Sequence, residues 1–216
     1  RDHMKRIEAE IVWPELVPIA RENGYEILAV WENGFRHITN NVRPIRTPAD
    51  LSGIKLRTPR GEWRVKMFRA WGANPTPLPL SETFVALQTG VVDGQENPLA
   101  QIYASKLHEV QKFLSLTRHA YTPAFVTMGA DRWKRLTEAQ RSALKQISGD
   151  TQAYVYETAA RIEAELETAI AESGVAVNAI DERAFSEAGV SIYEQFAAAL
   201  PAGGPLVARA RALSIA

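Results

Sequence analysis

Apolar and polar positions alternate along this chain in two rhythms, one of helical period and one of period two. From about Met4 to Asn23 apolar residues recur at helical spacing between charged ones, and Gly24 follows where a helix C-cap would stand. Pro14 and Pro18 fall inside that run and predict a break or a restart. "YEILAVW" (25–31) reads as a strand, "ENG" as a turn, and "FRHIT" (35–39) as a second extended run. A proline-rich loop (43–53) leads to "IKLRT" (54–58), whose period-two alternation predicts a strand with one face on a core. Over Glu62 to Trp71, Trp63, Met67, Ala70 and Trp71 share one helical face, which places both tryptophans in a core rather than against a ligand. Gly72 stops that helix. "PTPLPL" (75–80) is extended, Ser81 is placed to N-cap a helix ending at Gly90, and "VVDGQ" is a short strand. Strand alternating with helix in this way is an α/β signature.

The second half continues the pattern. "KFLSLTRH" and "YTPAFVTMG" read as two strands, and Thr137 with Gln140 forms a capping box. The helix that box opens runs as far as Ser173-Gly174. Unbroken it would be about 54 Å long, so it either bridges two lobes or bends near Ser148-Gly149. A short strand (Val175 to Val177) and a helix (Arg183 to Leu200) follow, and "PAGGP" (201–205) begins a loose tail.

Composition narrows the classes. The chain has 216 residues, 46% hydrophobic and 23% charged, with zero formal net charge, which describes an ordinary globular protein and gives no sign of nucleic-acid capture. There is no cysteine, so disulfides, thiolate metal sites and cysteine nucleophiles are excluded. No stretch approaches the roughly 18 apolar residues of a membrane span. Arg1 is not an initiator, which predicts a processed or truncated product.

Chemistry concentrates in a few places. The stretch "DGQENP" (93–98) packs Asp93, Glu96, Gln95 and Asn97 together. Two carboxylates suit acid–base work, but acids three residues apart in a turn are common, and shaping the turn explains them better. Pro98 restricts Asn97 to extended backbone, so its amide is fixed in direction and can donate and accept. Capping the following helix is the competing role for it. Arg57 ends a predicted strand, where open α/β sheets bind ligands, and a guanidinium offers a planar two-pronged donor to a carboxylate. Arg36 stands on a short extended run beside a turn. Pairing with a structural acid explains either arginine equally well. Tyr121 lies where two strands meet, and both core and ligand roles are open to it. His3, His37, His108 and His119 offer no pair at metal-ligand spacing, and no nucleophile elbow or phosphate-cradling glycine loop is present.

Three stretches, "ENGFRHITNNVRPIRTPADLSGIKLRTP", "GANPTPLPLSETFVALQTGVVDGQENPL" and "LHEVQKFLSLTRHAYTP", together resemble the DctP-type solute-binding proteins of TRAP (tripartite ATP-independent periplasmic) transporters. The likeness runs from about Glu15 to Phe196, and "ALQTGVVDGQENP" is its most specific part. It implies an α/β, two-lobe periplasmic binding protein of type II-like architecture with a long helix spanning both lobes. Residues 1–34 would belong to lobe one and 35–121 to lobe two. Residues 122–136 would cross back, 137–173 would form the lobe-spanning helix, 174–200 would pack a strand and helix on the lobes, and 201–216 would be the tail. Family members are longer at the N-terminus, so a signal peptide and the first part of lobe one would be absent from this chain.

The resemblance also implies function. The protein would bind a small organic acid in the periplasm, without turnover, and deliver it to the membrane permease subunits of the transporter. It would need no cofactor and no metal, and would bind no nucleic acid. Arg57 would make the bidentate salt bridge to the ligand carboxylate, with Asn97 and Arg36 at the same group. Leu80 stands where many members have a phenylalanine against the ligand, which implies an aliphatic wall. The alternative from another class is a hydrolase or lyase using Asp93 and Glu96 as an acid–base pair.

Overall fold

The structure is a computed structural model, and it describes residues 1–214. The last two residues of the expected tail lie outside the described residues. The chain opens in one helical run: α1 (Asp2–Ile7), wider π-type turns over Glu8–Leu16, and α2 (Val17–Glu22). The helical run has no gap, and the expected break or restart takes the form of a change of helix type, with α2 starting afresh at Val17. Pro14 lies inside the wide turns, where the hydrogen-bond ladder changes register around its missing N–H, and Pro18 occupies the first turn of α2, where no N–H is needed.

Strand β1 (Tyr25–Asn40) then runs straight through the "ENG" predicted to turn. Asn-Gly is a turn signal only when nothing else claims the backbone. Here Gly34 takes φ +120° and passes close to Pro98, where an added Cβ would sit 3.4 Å from the proline ring. Next come β2 (Lys55–Thr58), α3 (Glu62–Ala70), β3 (Asn74–Pro77) and α4 (Leu80–Gln88). Helix α4 begins at Leu80 with Pro79 in the capping position, so Ser81 lies inside the helix and does not cap it. Strand β4 (Gly94–Pro98), α5 (Leu99–Ala104) and β5 (Phe113–Gly129) follow. The two strands expected after residue 110 are this one strand, redirected at Arg118 by a left-handed residue, φ 43°. The remaining elements are α6 (Ala130–Lys134), α7 (Glu138–Glu172), β6 (Ala176–Asn178), α8 (Glu182–Ala199) and α9 (Gly203–Ala212). Residues 203–212 are therefore helical where a loose tail was expected.

Helix α7 starts on the capping box read from the sequence. The Gln140 N–H donates to Thr137 Oγ1 at 3.2 Å, and the Thr137 N–H donates back to Gln140 Oε1 at 2.9 Å. It continues unbroken past Gly149, whose helical penalty of about 1 kcal/mol is small beside the length of the helix.

The chain divides into two compact units. Unit 1 comprises Arg1–Asn33, Pro123–Ala159 and the described part of Ala197–Ala216; unit 2 comprises Gly34–Thr122 and Ala160–Phe196. Unit 1 has a small apolar core of Val12, Val17, Ile27 and Val30. Its buried acids are held individually. Glu26 takes Arg21 at 2.8 Å and Lys145 at 3.2 Å, and Glu8 accepts from the Trp13 indole and the Gln152 amide.

In unit 2 the strands pair in the order β3-β2-β4-β1-β5-β6. Strands β2 and β3 are parallel, as are β2 and β4, while β1 and β4 are antiparallel with Ile38 opposite Glu96. One apolar cluster gathers Ile38, Leu56, Phe68, Trp71 and Phe185; a second gathers Leu87, Leu99, Ile102, Leu114 and Ile170. Glycine is required at the start of β4. A side chain at Gly94 would run into the Thr39 carbonyl oxygen and stand 2.7 Å from Asn40 Cβ, both on the adjacent strand. Gly94→Ala is expected to destabilise unit 2 by about 2 kcal/mol, as over-packing of a rigid neighbour does. An unchanged denaturation midpoint would contradict this close approach.

Candidate functional site

The residues 94–98 are not a turn. They form a strand hydrogen-bonded on both sides, to β1 and to β2, and all five are buried. A strand sends successive side chains to opposite faces. Glu96 therefore shares a face with its partner Ile38, while Gln95 and Asn97, opposite Thr39 and His37, share the other. Arg57 pairs with Gln95 across the parallel ladder and so points to the Gln95 and Asn97 side. Pro98 has no N–H to give a ladder, and it stands where β4 ends and α5 begins.

Glu96 is the hub. Its Oε2 accepts from Arg36 Nε at 2.5 Å, from Arg64 Nη1 at 2.8 Å and from His119 Nε2 at 3.0 Å, and its Oε1 accepts from Arg36 Nη2 at 3.0 Å. The Arg36 Nη2 also reaches the Glu96 carbonyl at 2.7 Å and Asn97 Oδ1 at 3.0 Å. The Asn97 amide donates to Gln95 Oε1 at 2.6 Å, and Gln95 donates to the Thr39 hydroxyl at 2.9 Å. Both faces of β4 are thus tied together through Arg36.

The electrostatics follow from burial and pairing. Burial alone would push the Glu96 carboxyl up; the His119 ring and the Arg36 guanidinium outweigh it and hold the group at about 2. Burial pushes the His119 imidazole down, more than Glu96 pulls it up. A neutral ring that donates from Nε2 must accept at Nδ1, and the Thr117 hydroxyl is there at 2.8 Å. Arg57 differs from Arg36. It is 3% exposed, and its Nε and Nη2 both donate to the Leu78 carbonyl, at 2.9 and 2.6 Å. Among the described residues no carboxylate pairs with it. Burial pushes its guanidinium down, against the pull of Glu96 and with the push of Arg36.

The structure thus brings Arg36 and Asn97 into direct contact and sets Arg57 within electrostatic reach of Glu96. Tyr121 lies edge-on to Phe35, with ring centroids 5.1 Å apart. Leu80 opens α4, two residues after the carbonyl that holds Arg57, and is 36% exposed. Asp93 and Glu96 do not act together. The Asp93 carboxylate accepts the Lys55 N–H at 2.8 Å and so joins β2 to the start of β4, while Glu96 is enclosed by its basic partners. Two members of the cluster were not read from the sequence. Arg64 and His119 lie 32 and 23 positions from Glu96, so no local motif connects them.

Residues 1–199 match the family described as bacterial extracellular solute-binding protein, family 7 (DctP). The chain belongs to this family. Among solute-binding proteins of the family, the 2,3-diketo-L-gulonate-binding periplasmic protein YiaO of Escherichia coli (strain K12) is 43% identical over 121 residues, which is 56% of this chain. The match spans 37% of YiaO, so this chain corresponds to part of that receptor's length. A TRAP periplasmic solute-binding protein from Roseobacter denitrificans, solved with bound β-D-glucuronate, is 31% identical with a TM-score of 0.92, covering 97% of this chain and 70% of that one. Another, from Polaromonas sp. JS666 and bound to D-erythronate, is 34% identical with a TM-score of 0.86, covering 99% and 69%. The α/β fold of this chain is that of the two-lobe TRAP receptors.

Proposed function

We propose that this chain is the carboxylate-binding part of a periplasmic TRAP receptor, which captures a small organic acid and passes it to a membrane permease. One observation carries the reading. Arg57 is a buried guanidinium whose hydrogen bonds go to a neutral carbonyl, and among the described residues no carboxylate makes an ion pair with it. An uncompensated charge in a protein interior is costly, and a carboxylate ligand removes that cost with charge-assisted bonds. Asn97, its amide held by Gln95 and Arg36, stands on the same side of β4 and supplies a fixed polar neighbour for that carboxylate. Arg36 is committed to Glu96 and Asn97, and it acts on the ligand chiefly by holding them.

In this reading residues 35–121 are lobe two, residues 1–34 are part of lobe one, and residues 137–173 are the helix the lobes share. Leu80 and Tyr121 are apolar wall residues of the site. The ligands of the related receptors, glucuronate and D-erythronate, are hydroxylated carboxylates, which supports an organic acid as the cargo. The test is a thermal-shift screen of organic acids on the chain, followed by calorimetry. At least one carboxylate should raise the unfolding midpoint of unit 2, while the corresponding amide should not. Equal shifts by an acid and its amide would overturn the reading.

A further inference from the structure

The side of β4 that carries Asn97 and faces with Arg57 holds one more buried polar group. His37 stands directly opposite Asn97 on β1, at the separation of about 5 Å that cross-strand neighbours keep. It therefore shares a face with Asn97, Gln95 and, one strand further on, Arg57. His37 is fully buried, and neither Nδ1 nor Nε2 has a hydrogen-bond partner among the described residues. A buried polar atom without a partner is costly, and this ring has two. Glu163 of α7 brings Oε1 to 3.6 Å from Nε2, an ion-pair distance for a charged ring but too long for a hydrogen bond.

The charges about the ring make it sensitive to an incoming anion. Arg57 on β2 and Glu163 on α7 bear on it, while β4 faces it with the neutral amides of Gln95 and Asn97. The neighbouring ionisable groups are engaged elsewhere. Arg36 and His119 are bound to Glu96, Arg161 pairs with Glu165, Tyr121 packs on Phe35, and Arg118 of β5 is exposed. Glu167 is half-buried one turn along α7 from Glu163. At the ring itself, Arg57 and Glu163 cancel while His37 is neutral. A ligand carboxylate adds a negative charge, and a proton on His37 cancels it. Both nitrogens of an imidazolium are donors, so one can serve the ligand and the other Glu163. We propose that His37 is a proton-coupled contact of this site: capture of a carboxylate at Arg57 and Asn97 draws one proton from solvent onto the His37 ring, which then donates from Nδ1 to the ligand and from Nε2 to Glu163. This rests on the receptor reading above.

The probes are D-glucuronate, D-erythronate and 2,3-diketo-L-gulonate, the acids of the related receptors. Calorimetry on the 216-residue chain is run at pH 8 in phosphate and in Tris, whose ionisation enthalpies differ widely. For an acid that binds, the two enthalpies should differ by the amount that uptake of about one proton requires. Its affinity should fall as the pH rises from 6 to 9, approaching roughly tenfold per unit. His37→Gln keeps a donor and an acceptor but cannot titrate there. It should bind more weakly, equally across that range, and take up no proton. Glu163→Gln should reduce the uptake, and it keeps the test open where His37→Gln does not fold. The inference is overturned by a native enthalpy independent of buffer, by an uptake that survives in His37→Gln, or by one undiminished in Glu163→Gln. Each of these leaves the receptor reading standing, because an acid still binds. Failure of all three acids to bind overturns that reading, and this inference with it.

Discussion

Arg57→Ala is expected to weaken binding of the carboxylate ligand by about 100-fold or more while leaving the fold intact. A charge-assisted hydrogen bond contributes about 1.5–3 kcal/mol, and a guanidinium that grips a carboxylate loses two at once on truncation. The fold survives because the native side chain gives its bonds to one carbonyl, that of Leu78, and has no buried acid to strand. Removing it takes two donors from the Leu78 carbonyl and relieves a buried charge that makes no ion pair among the described residues. Calorimetry gives the affinity and circular dichroism the fold. Arg57→Lys should recover only part of the loss, because an ammonium lacks the planar fork. An affinity within threefold of the native value would remove Arg57 from the site.

Glu96→Ala should have the opposite profile, a large effect on stability before any ligand is added. It leaves Arg36 almost fully buried without its partner and takes an acceptor from Arg64 and from His119. Breaking one side of a buried pair costs about 3–5 kcal/mol. The unfolding midpoint of unit 2 should fall by roughly 10 °C, given about 2–4 °C per kcal/mol for a domain of this size class. Acid should reproduce the loss in the native chain. The folded-state pKa of about 2 lies below the usual 4.5, so the carboxylate stabilises fully above about pH 4.5. That contribution fades below pH 4.5 and is gone once the pH has dropped through about 2, a loss of about 3 kcal/mol. The stability gap between native chain and Glu96→Gln should therefore close over that same window. A gap that stayed constant from pH 5 to pH 2 would show that Glu96 is not held ionised by its neighbours.

What the sequence disclosed depended on how local the cause was. The capping box of α7 lies within four residues, and the same pair of hydrogen bonds is found in the structure. The sequence places a short strand over "VVDGQ" (91–95), three residues ahead of β4 (Gly94–Pro98), because "GQENP" contains no β-branched or aromatic residue and reads as turn chemistry. Pairing on both edges overrides that weak preference, and no local pattern reports it. For the same reason "ENG" continues β1: the pairing of residues 36–40 with β4 is fixed immediately beyond it. The site divides likewise. The charge and strand-end position of Arg57 were legible by themselves, and the resemblance drew Arg36 and Asn97 to it. Arg64 and His119 reach Glu96 only after the chain has folded, and their spacing carried no sign of it.

The double-sided pairing of β4 also bears on how this scaffold can be retuned. Every residue from Gly94 to Pro98 is buried, and Gln95, Glu96 and Asn97 each give or take hydrogen bonds that hold a neighbour in place. Changes there will register as loss of the protein before they register as a new cargo. Helix α3 is freer: Arg64 spends one bond on the framework, and Glu62 and Lys66 pair with each other at the surface. A library meant to redirect this scaffold to another acid should therefore leave the strand alone and vary the first turn of that helix.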